Sequence, residues 1–218
     1  MTTREPTDVA ATRAAYDTVA RDYADLLRDE LARKVLDRAM LAAFAELVPT
    51  GGRVADVGCG PGRVTAHLSR LGLSIEGVDL SPRMVAVARE EHPSLAFSVG
   101  TMERLAFADA SLAGVVAWYS IIHIPGERLP GVFAEFARVL SPGGQLLLAF
   151  QVGDEPRHIS RGYGHDVSMD AYRLPVTRIE ALLADVGLTA RARLVREPDT
   201  EERTPQAFVI ADRPAELR

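Results

Sequence analysis

The sequence predicts an α/β fold in which helices cover both faces of a doubly wound, mostly parallel sheet. From residue 53 to residue 151, apolar segments alternate with segments of helical period, as strand–helix–strand units do. Within the predicted strands 113–119 and 145–151, residues 114–118 and 146–150 are continuously apolar, which is expected when both faces of a parallel sheet are covered. A glycine-rich turn at 58–62 directly follows the first strand, where such sheets bind ligands.

The predicted elements begin with helices at the N-terminus. Apolar residues recur at helical spacing over 7–47, and Pro49 to Gly52 interrupt this pattern before the first strand. Ser81 and Pro82 are predicted to be the N-cap and the first residue of a later helix. The alternating elements are predicted as strand 53–58, helix 63–71, strand 74–79, helix 81–91, strand 96–99, strand 113–119, helix 128–140 and strand 145–151.

The last part of the sequence departs from this alternation. Segment 153–175 is long for a connection within a compact domain, and such segments are often lids over a site, although a solvated insertion is the alternative. Thr177 and Glu180 have the spacing of a capping box, which predicts the start of a helix. The apolar or alternating stretches 189–197 and 206–211 predict a closing hairpin.

The glycine turn distinguishes between classes of cofactor. Its glycines stand at 58, 60 and 62, whereas a dinucleotide-binding fingerprint would need its third glycine at the position of Arg63. Asp56 precedes the turn, and a carboxylate there would repel a pyrophosphate but suit a ligand that carries an ammonium group. The second strand ends in Asp79, which is placed to accept hydrogen bonds from two ribose hydroxyls.

These residues resemble the first two motifs of the class I S-adenosylmethionine-dependent methyltransferases. In that family the first motif is D-x-G-x-G-x-G, matched here by residues 56–62, and the second strand ends in an acid, matched by Asp79. The resemblance implies a Rossmann-like sheet of seven strands in the order 3-2-1-4-5-7-6, with the seventh strand antiparallel and an N-terminal helical cover. It also implies S-adenosyl-L-methionine as the cofactor and S-adenosyl-L-homocysteine as its product.

The resemblance assigns further residues to the cofactor site. Tyr16 to Tyr23 match the family pattern Tyr-Asp-x-x-Ala-x-x-Tyr of a helix that covers the cofactor, although core packing is the alternative for both tyrosines. The family often has an acid where this chain has Thr101, so the adenine contact is expected to move to backbone amides and to Leu80 and Met102. The predicted cofactor-binding residues are Tyr16, Tyr23, Asp56, Gly58, Cys59, Gly60, Asp79, Leu80, Met84, Thr101, Met102, Glu103, Trp118 and Tyr119.

Two residues at the end of the fourth predicted strand are candidates for catalysis. Methyl transfer mainly requires alignment of donor and acceptor, and a base is needed only when the attacking atom carries a proton. His123 lies just beyond that strand, where it could serve as this base, and Tyr119 or a residue of the lid-like segment 153–175 could orient its ring. A structural histidine is the alternative. We expect no metal, because His158, His165 and Asp166 are irregularly spaced.

Length, net charge and cysteine count restrict the classes of binding partner and the cellular compartment that we expect for this protein. The 218 residues fit one domain, 1–218, with the helical cover at 7–47 and the lid-like insertion at 153–175. The net charge of −5 disfavours binding to nucleic acid or to a membrane surface. The single cysteine, Cys59, fits a reducing compartment, and the N-terminal residues contain no apolar targeting segment. We therefore expect a cytoplasmic monomer or homodimer that acts on a small molecule.

The sequence-based hypothesis is a methyltransferase that moves the methyl group of S-adenosylmethionine to a small-molecule acceptor, in secondary metabolism. Whether O, N, C or S is methylated stays open. One alternative is a non-catalytic protein that binds S-adenosylmethionine and acts through partners. The other is a nicotinamide-dependent oxidoreductase, which Asp56 and Arg63 disfavour.

Overall fold

The computed structural model of the protein describes residues 6–215. The α-helices in this range are α1 Thr7–Leu27, α2 Glu30–Arg33, α3 Val35–Leu47, α4 Arg63–Arg70, α5 Pro82–Glu91, α6 Leu129–Val139 and α7 Val176–Asp185. None of these helices is both long and apolar enough to cross a membrane. The strands are β1 Arg53–Val57, β2 Ser74–Asp79, β3 Ala96–Val99, β4 Leu112–Trp118, β5 Leu140–Gln151, β6 Pro156–Gly162, β7 His165–Tyr172, β8 Thr189–Arg196 and β9 Gln206–Asp212.

Seven strands form one sheet in the order β3-β2-β1-β4-β5-β9-β8. Strands β1 to β5 run parallel, and β9 pairs antiparallel with β5 on one side and with β8 on the other. Because β8 and β9 are the sixth and seventh strands of this sheet along the chain, the predicted order 3-2-1-4-5-7-6 is confirmed. The predicted Rossmann-like, mostly parallel sheet is confirmed with it.

Helices cover both faces of the sheet, and this explains the continuously apolar strands. On one face, Phe44 of α3 and Leu68 of α4 are fully buried in a cluster that includes residues of β1, β4 and β9. On the other face, Phe133 and Phe136 of α6 pack in a second cluster with Ile179 of α7. Every residue of β4 is buried. Each such large apolar side chain stabilises the fold by about 1.5–3 kcal/mol.

The N-terminus of α5 has the predicted cap. The Oγ atom of Ser81 accepts a hydrogen bond from the Met84 amide (3.0 Å), and Pro82 occupies the first turn. A cap of this kind stabilises a helix by about 1 kcal/mol. Because Ser81 follows the end of β2 almost directly, the cap fixes α5 against the edge of the sheet where Asp79 lies.

Two predictions about helix and strand boundaries are wrong. Helix α7 begins at Val176, so Thr177 already lies inside the helix and forms no capping box. Its expected partner Glu180 pairs instead with Arg193 of β8, at 3.3 Å. Strand β5 begins at Leu140 and not at 145, because the Ser-Pro-Gly-Gly segment continues the strand across an irregularity in its pairing with β4.

Segment 153–175 forms the β6–β7 hairpin and not the irregular loop that its length suggests. Its turn contains Tyr163, which adopts a left-handed φ of 53°. Strand β7 packs against α1, and His165 Nε2 lies 2.6 Å from Asp22 Oδ2 of that helix. The hairpin and the N-terminal helix therefore support each other.

Candidate active site

A cavity opens at the carboxyl ends of β1, β2 and β4, beneath α1. It encloses about 790 Å³ of empty space, solvent at its mouth included. This edge of an open parallel sheet is where such folds bind ligands. Every predicted cofactor-binding or catalytic residue lines the cavity except Asp56 and Cys59.

The glycine turn is held close to the end of β4. Gly58 has a left-handed φ of 76°, and a Cβ on it would lie 2.2 Å from the Cβ of Ser120. Ser120 in turn donates a hydrogen bond from Oγ to the carbonyl oxygen of Val57 (2.7 Å). Gly60 is also left-handed (φ 54°), and a Cβ there would meet the Tyr23 ring at 3.8 Å. The turn thus presents backbone atoms without side chains to the cavity. Glycine adopts the left-handed conformation of this turn without strain.

Asp79 ends β2 and lines the cavity. Its Oδ2 atom accepts a hydrogen bond from the Gly60 amide (2.7 Å), and its Oδ1 atom accepts one from the Ser81 amide (2.8 Å). Burial raises the pKa of Asp79 to about 6, and these two amides oppose the rise. Because each carboxylate oxygen has two lone pairs, each keeps the capacity to accept one further donor.

The structure does not bring Asp56 into the cavity. Side chains alternate along a strand, so Asp56 shares the face of Val54 and is fully buried toward α4. There Thr65 Oγ1 donates a hydrogen bond to Oδ2 (2.6 Å), whereas Oδ1 is buried without a partner among residues 6–215. Burial raises the pKa of this carboxyl to about 7. Asp56 therefore supports the glycine turn from behind.

Cys59 also faces away from the cavity. Its side chain is buried with Val85, Ala88 and Phe97, and its amide donates a hydrogen bond to the carbonyl oxygen of Val78 (3.1 Å). Burial raises the pKa of the thiol well above its ordinary value. Cys59 therefore packs the turn against α5 and β3, and its side chain does not contact the predicted cofactor position.

Tyr16 and His123 form a hydrogen-bonded pair in the cavity wall. The Tyr16 hydroxyl oxygen lies 2.7 Å from His123 Nε2, and His123 Nδ1 lies 2.9 Å from the carbonyl oxygen of Asp170 in β7. A carbonyl oxygen can only accept, so Nδ1 carries the proton and the neutral ring accepts the Tyr16 proton at Nε2. Burial lowers the pKa of His123, which favours this neutral form. Burial also raises the pKa of Tyr16, so its hydroxyl stays protonated.

Tyr119 lies in the cavity wall but does not orient His123. Its backbone has a left-handed φ of 54°, which is unusual for a bulky residue, and its ring packs edge-on against Trp118. Its hydroxyl oxygen is buried and has no hydrogen-bond partner in the part of the chain that the structure describes. Tyr16 and Asp170 hold His123 instead, so of the two predicted orienting groups it is the residue of segment 153–175, and not Tyr119, that contacts the ring.

Some residues of the cavity carry no motif signal in the sequence. Val9 and Thr12 lie on the same helical face as Tyr16, so the helical period of α1 could have identified them. Arg128 could not be found in this way, because it follows β4 and reaches across the cavity to pair with Asp8 of α1. The others are Val57, Gly100, Ser120 and Ile124.

The polar residues of the β6–β7 hairpin do not converge on one point. His158 Nδ1 lies 2.8 Å from Asp170 Oδ1, whereas His165 pairs with Asp22 of α1. Within residues 6–215, no group of three or more His, Cys, Asp or Glu is arranged to hold a metal ion.

The strand order and the glycine-turn cavity define a Rossmann-like α/β protein of the class I methyltransferase type. Residues 54–144 match the family model described as a methyltransferase domain. The predicted resemblance to the class I S-adenosylmethionine-dependent methyltransferases is confirmed over this range.

Two curated relatives match the chain over a longer range than the family model does. The chain is 35% identical over 149 residues to a demethylmenaquinone methyltransferase of Beutenbergia cavernae, which covers 67% of this chain and 59% of that protein. It is 31% identical over 172 residues to the O-methyltransferase cnsE of Penicillium expansum, which covers 69% and 60%. The chain thus spans about three fifths of the length of these curated relatives.

A solved structure shares the fold over nearly the whole chain. The magnesium protoporphyrin IX methyltransferase of Synechocystis, crystallised with bound S-adenosylmethionine, superimposes with a TM-score of 0.73. The match covers 97% of this chain and all of that one at 18% identity, so it shows the fold alone.

Proposed function

We propose that the protein transfers the methyl group of S-adenosylmethionine to a small-molecule acceptor. The observation that carries this proposal is the cavity at the glycine turn, where Gly60 leaves its backbone open and Asp79 offers two carboxylate oxygens. The similarity to a quinone methyltransferase and to an O-methyltransferase supports the same reaction.

The residues of the cavity fit this cofactor. Asp79 keeps one acceptor position on each oxygen, which suits the two hydroxyls of a ribose. Leu80 and Met102 add apolar surface for an adenine ring. Tyr23 lies over Gly60, where an aromatic ring attracts a cationic sulfonium. Because Asp56 is buried behind the turn, we assign it only an indirect, electrostatic part in this recognition.

The bound cofactor would supply an electrophilic methyl group on a sulfonium, whose leaving group is a neutral thioether. The protein then has to hold an acceptor in line with that methyl group and, where the attacking atom carries a proton, to remove that proton. We assign the second task to Tyr16 and His123. As the Tyr16 oxygen takes the acceptor's proton, its own proton passes to His123 Nε2 along the existing hydrogen bond. The carbonyl oxygen of Asp170 stabilises the imidazolium at Nδ1.

An acceptor of this kind carries a proton on the attacking atom, as a phenol, an enol or an amine does. Cover of the cavity by α1, against which β7 of the hairpin packs, also favours a small molecule over a polymer. The net charge of −5 agrees with this choice, because nucleic acids are polyanions.

Calorimetry with three ligands tests the cofactor assignment. We expect S-adenosylhomocysteine and S-adenosylmethionine to bind in the micromolar range and NAD to give no heat. Binding of NAD alone would overturn the proposal in favour of an oxidoreductase.

A turnover assay tests the enzymatic part. The protein is incubated with S-adenosylmethionine and a panel of small phenols, quinols and amines, and S-adenosylhomocysteine and methylated products are quantified by mass spectrometry. We expect product from at least one member of the panel. Tight cofactor binding without turnover of the panel, or of a small-molecule cell extract, would instead favour a non-catalytic binder.

A further inference from the structure

Ser81 joins three parts of the candidate active site. Its amide donates a hydrogen bond to Asp79 Oδ1 (2.8 Å), and its Oγ atom accepts one from the Met84 amide at the start of α5 (3.0 Å). The same hydroxyl donates its proton to Asp17 Oδ1 of α1 (2.6 Å). Asp17 Oδ1 also accepts a hydrogen bond from the Arg83 amide (3.1 Å). Ser81 is fully buried, whereas the hydrogen bond from the Arg83 amide to Asp17 is exposed.

Asp17 does not line the cavity, but it lies on the helix that covers it. Tyr16 and Tyr23 of the same helix do line the cavity. Asp17 accepts two hydrogen bonds at the N-terminus of α5, where the partial positive charge of a helix favours an anion. By contrast, the Arg21–Glu90 pair between the same two helices is exposed, and exposed pairs contribute little.

We propose that Asp17 is a positioning residue for cofactor binding. Through Ser81 it fixes α1, and with it Tyr16 and Tyr23, relative to the carboxylate of Asp79. The inference rests on the proposed function, because it takes S-adenosylmethionine or its product as the ligand of the cavity. Loss of the Asp17 side-chain oxygen that accepts both hydrogen bonds therefore weakens the binding of a ligand that Asp17 does not touch.

Calorimetry with S-adenosylhomocysteine on matched variants tests this role. Asp17→Ala removes both hydrogen bonds and should weaken binding by about tenfold, the scale of a lost charge-assisted hydrogen bond. Asp17→Asn keeps an oxygen that can accept both bonds and should retain most of the affinity. Arg21→Ala breaks the exposed pair on the same helix and serves as the control with parental affinity.

Hydrogen exchange of residues 7–27 gives a second readout that a purely structural role would not change. In the parent protein, S-adenosylhomocysteine should slow the exchange of amides in α1, and in Asp17→Ala this slowing should be lost even at saturating ligand. Asp17→Glu keeps the charge but moves the carboxylate by one methylene, so it tests the same point if Asp17→Ala does not fold.

The outcomes separate the inference from the proposed function. A lower melting temperature of Asp17→Ala and Asp17→Glu, with parental affinity and parental ligand-induced protection of α1, would overturn the positioning role alone. A parent protein that does not bind S-adenosylhomocysteine would overturn the proposed function and the inference with it.

Discussion

The hydroxyl oxygen of Tyr16 lies 2.7 Å from Nε2 of His123, and this contact joins the N-terminal helix to the segment that follows the fourth strand. The carbonyl oxygen of Asp170 fixes the tautomer of the histidine from the other side, at 2.9 Å. The imidazole can therefore take up one proton at Nε2, and in the proposed reaction that proton arrives through Tyr16.

Removal of either member of this pair should slow catalysis. We expect Tyr16→Phe and His123→Ala each to reduce methyl transfer to a phenol or amine by about 10²-fold, the usual scale of general-base loss. For His123→Ala, the affinity for S-adenosylhomocysteine should stay near that of the parent. The measurement is turnover at saturating acceptor. His67→Gln, which changes a histidine of α4 that does not line the cavity, is the control. If Tyr16→Phe and His123→Ala both turned over at the parental rate, methyl transfer would depend only on the alignment of donor and acceptor.

Asp79→Ala should weaken cofactor binding strongly. Each hydrogen bond to a charged carboxylate contributes about 1.5–3 kcal/mol, so loss of two bonds to ribose reduces affinity by roughly tenfold to a thousandfold. Calorimetry with S-adenosylhomocysteine measures the effect, and circular dichroism verifies that the variant is folded. If a folded Asp79→Ala protein bound the ligand as the parent does, the ribose assignment would be wrong.

The two buried carboxyls should make the ligand-free protein lose stability as the pH rises. Burial raises the pKa of Asp56 to about 7 and that of Asp79 to about 6, above the value of about 3.9 for an unfolded aspartate. The folded state therefore holds these protons more tightly. The protonated carboxyls thus add to the free energy of unfolding. This contribution is fully present below about pH 4 and is lost as the pH rises through about 6 and 7.

Asp56→Asn isolates one of these groups. An asparagine oxygen can still accept the hydrogen bond from Thr65, but the side chain no longer ionises. We expect the variant to be more stable than the parent at about pH 8 and to lose most of this advantage at about pH 5, because Asp56 of the folded parent is protonated there. Urea unfolding at both pH values measures the difference. The same pH dependence in both proteins would contradict the buried, raised pKa of Asp56.

Gly58→Ala should destabilise the protein more than Gly72→Ala does. Both glycines are left-handed, so each substitution costs roughly 1–2 kcal/mol of backbone strain. Only at Gly58 does the new Cβ also collide with another residue, because it would lie 2.2 Å from the Cβ of Ser120. A Cβ added at Gly72 would meet nothing within 4 Å. Thermal unfolding should show this order, and the added change Ser120→Gly should recover part of the loss. Equal destabilisation would mean that the turn can move away from β4.

The parts of the site that could be predicted from the sequence depend on local spacing. The glycine turn and Asp79 follow strand ends that apolar residues mark directly, so their place at one edge of the sheet was predictable. The direction of Asp56 depends on which face of β1 turns toward α4, and no motif specifies that face. The partners of His123 lie 107 and 47 residues away, so they depend on how α1 and the hairpin dock.

Strand β9 comes last along the chain, yet it lies between β5 and β8 in the sheet. During synthesis on the ribosome, β5 and β8 therefore emerge before the strand that joins them. Until then, both keep unpaired N–H and C=O groups on the edges that β9 will occupy, and open edges of this kind pair with other chains. The newly made protein is thus most exposed to aggregation just before its final strand inserts, and a defect confined to β9 would leave two unprotected edges.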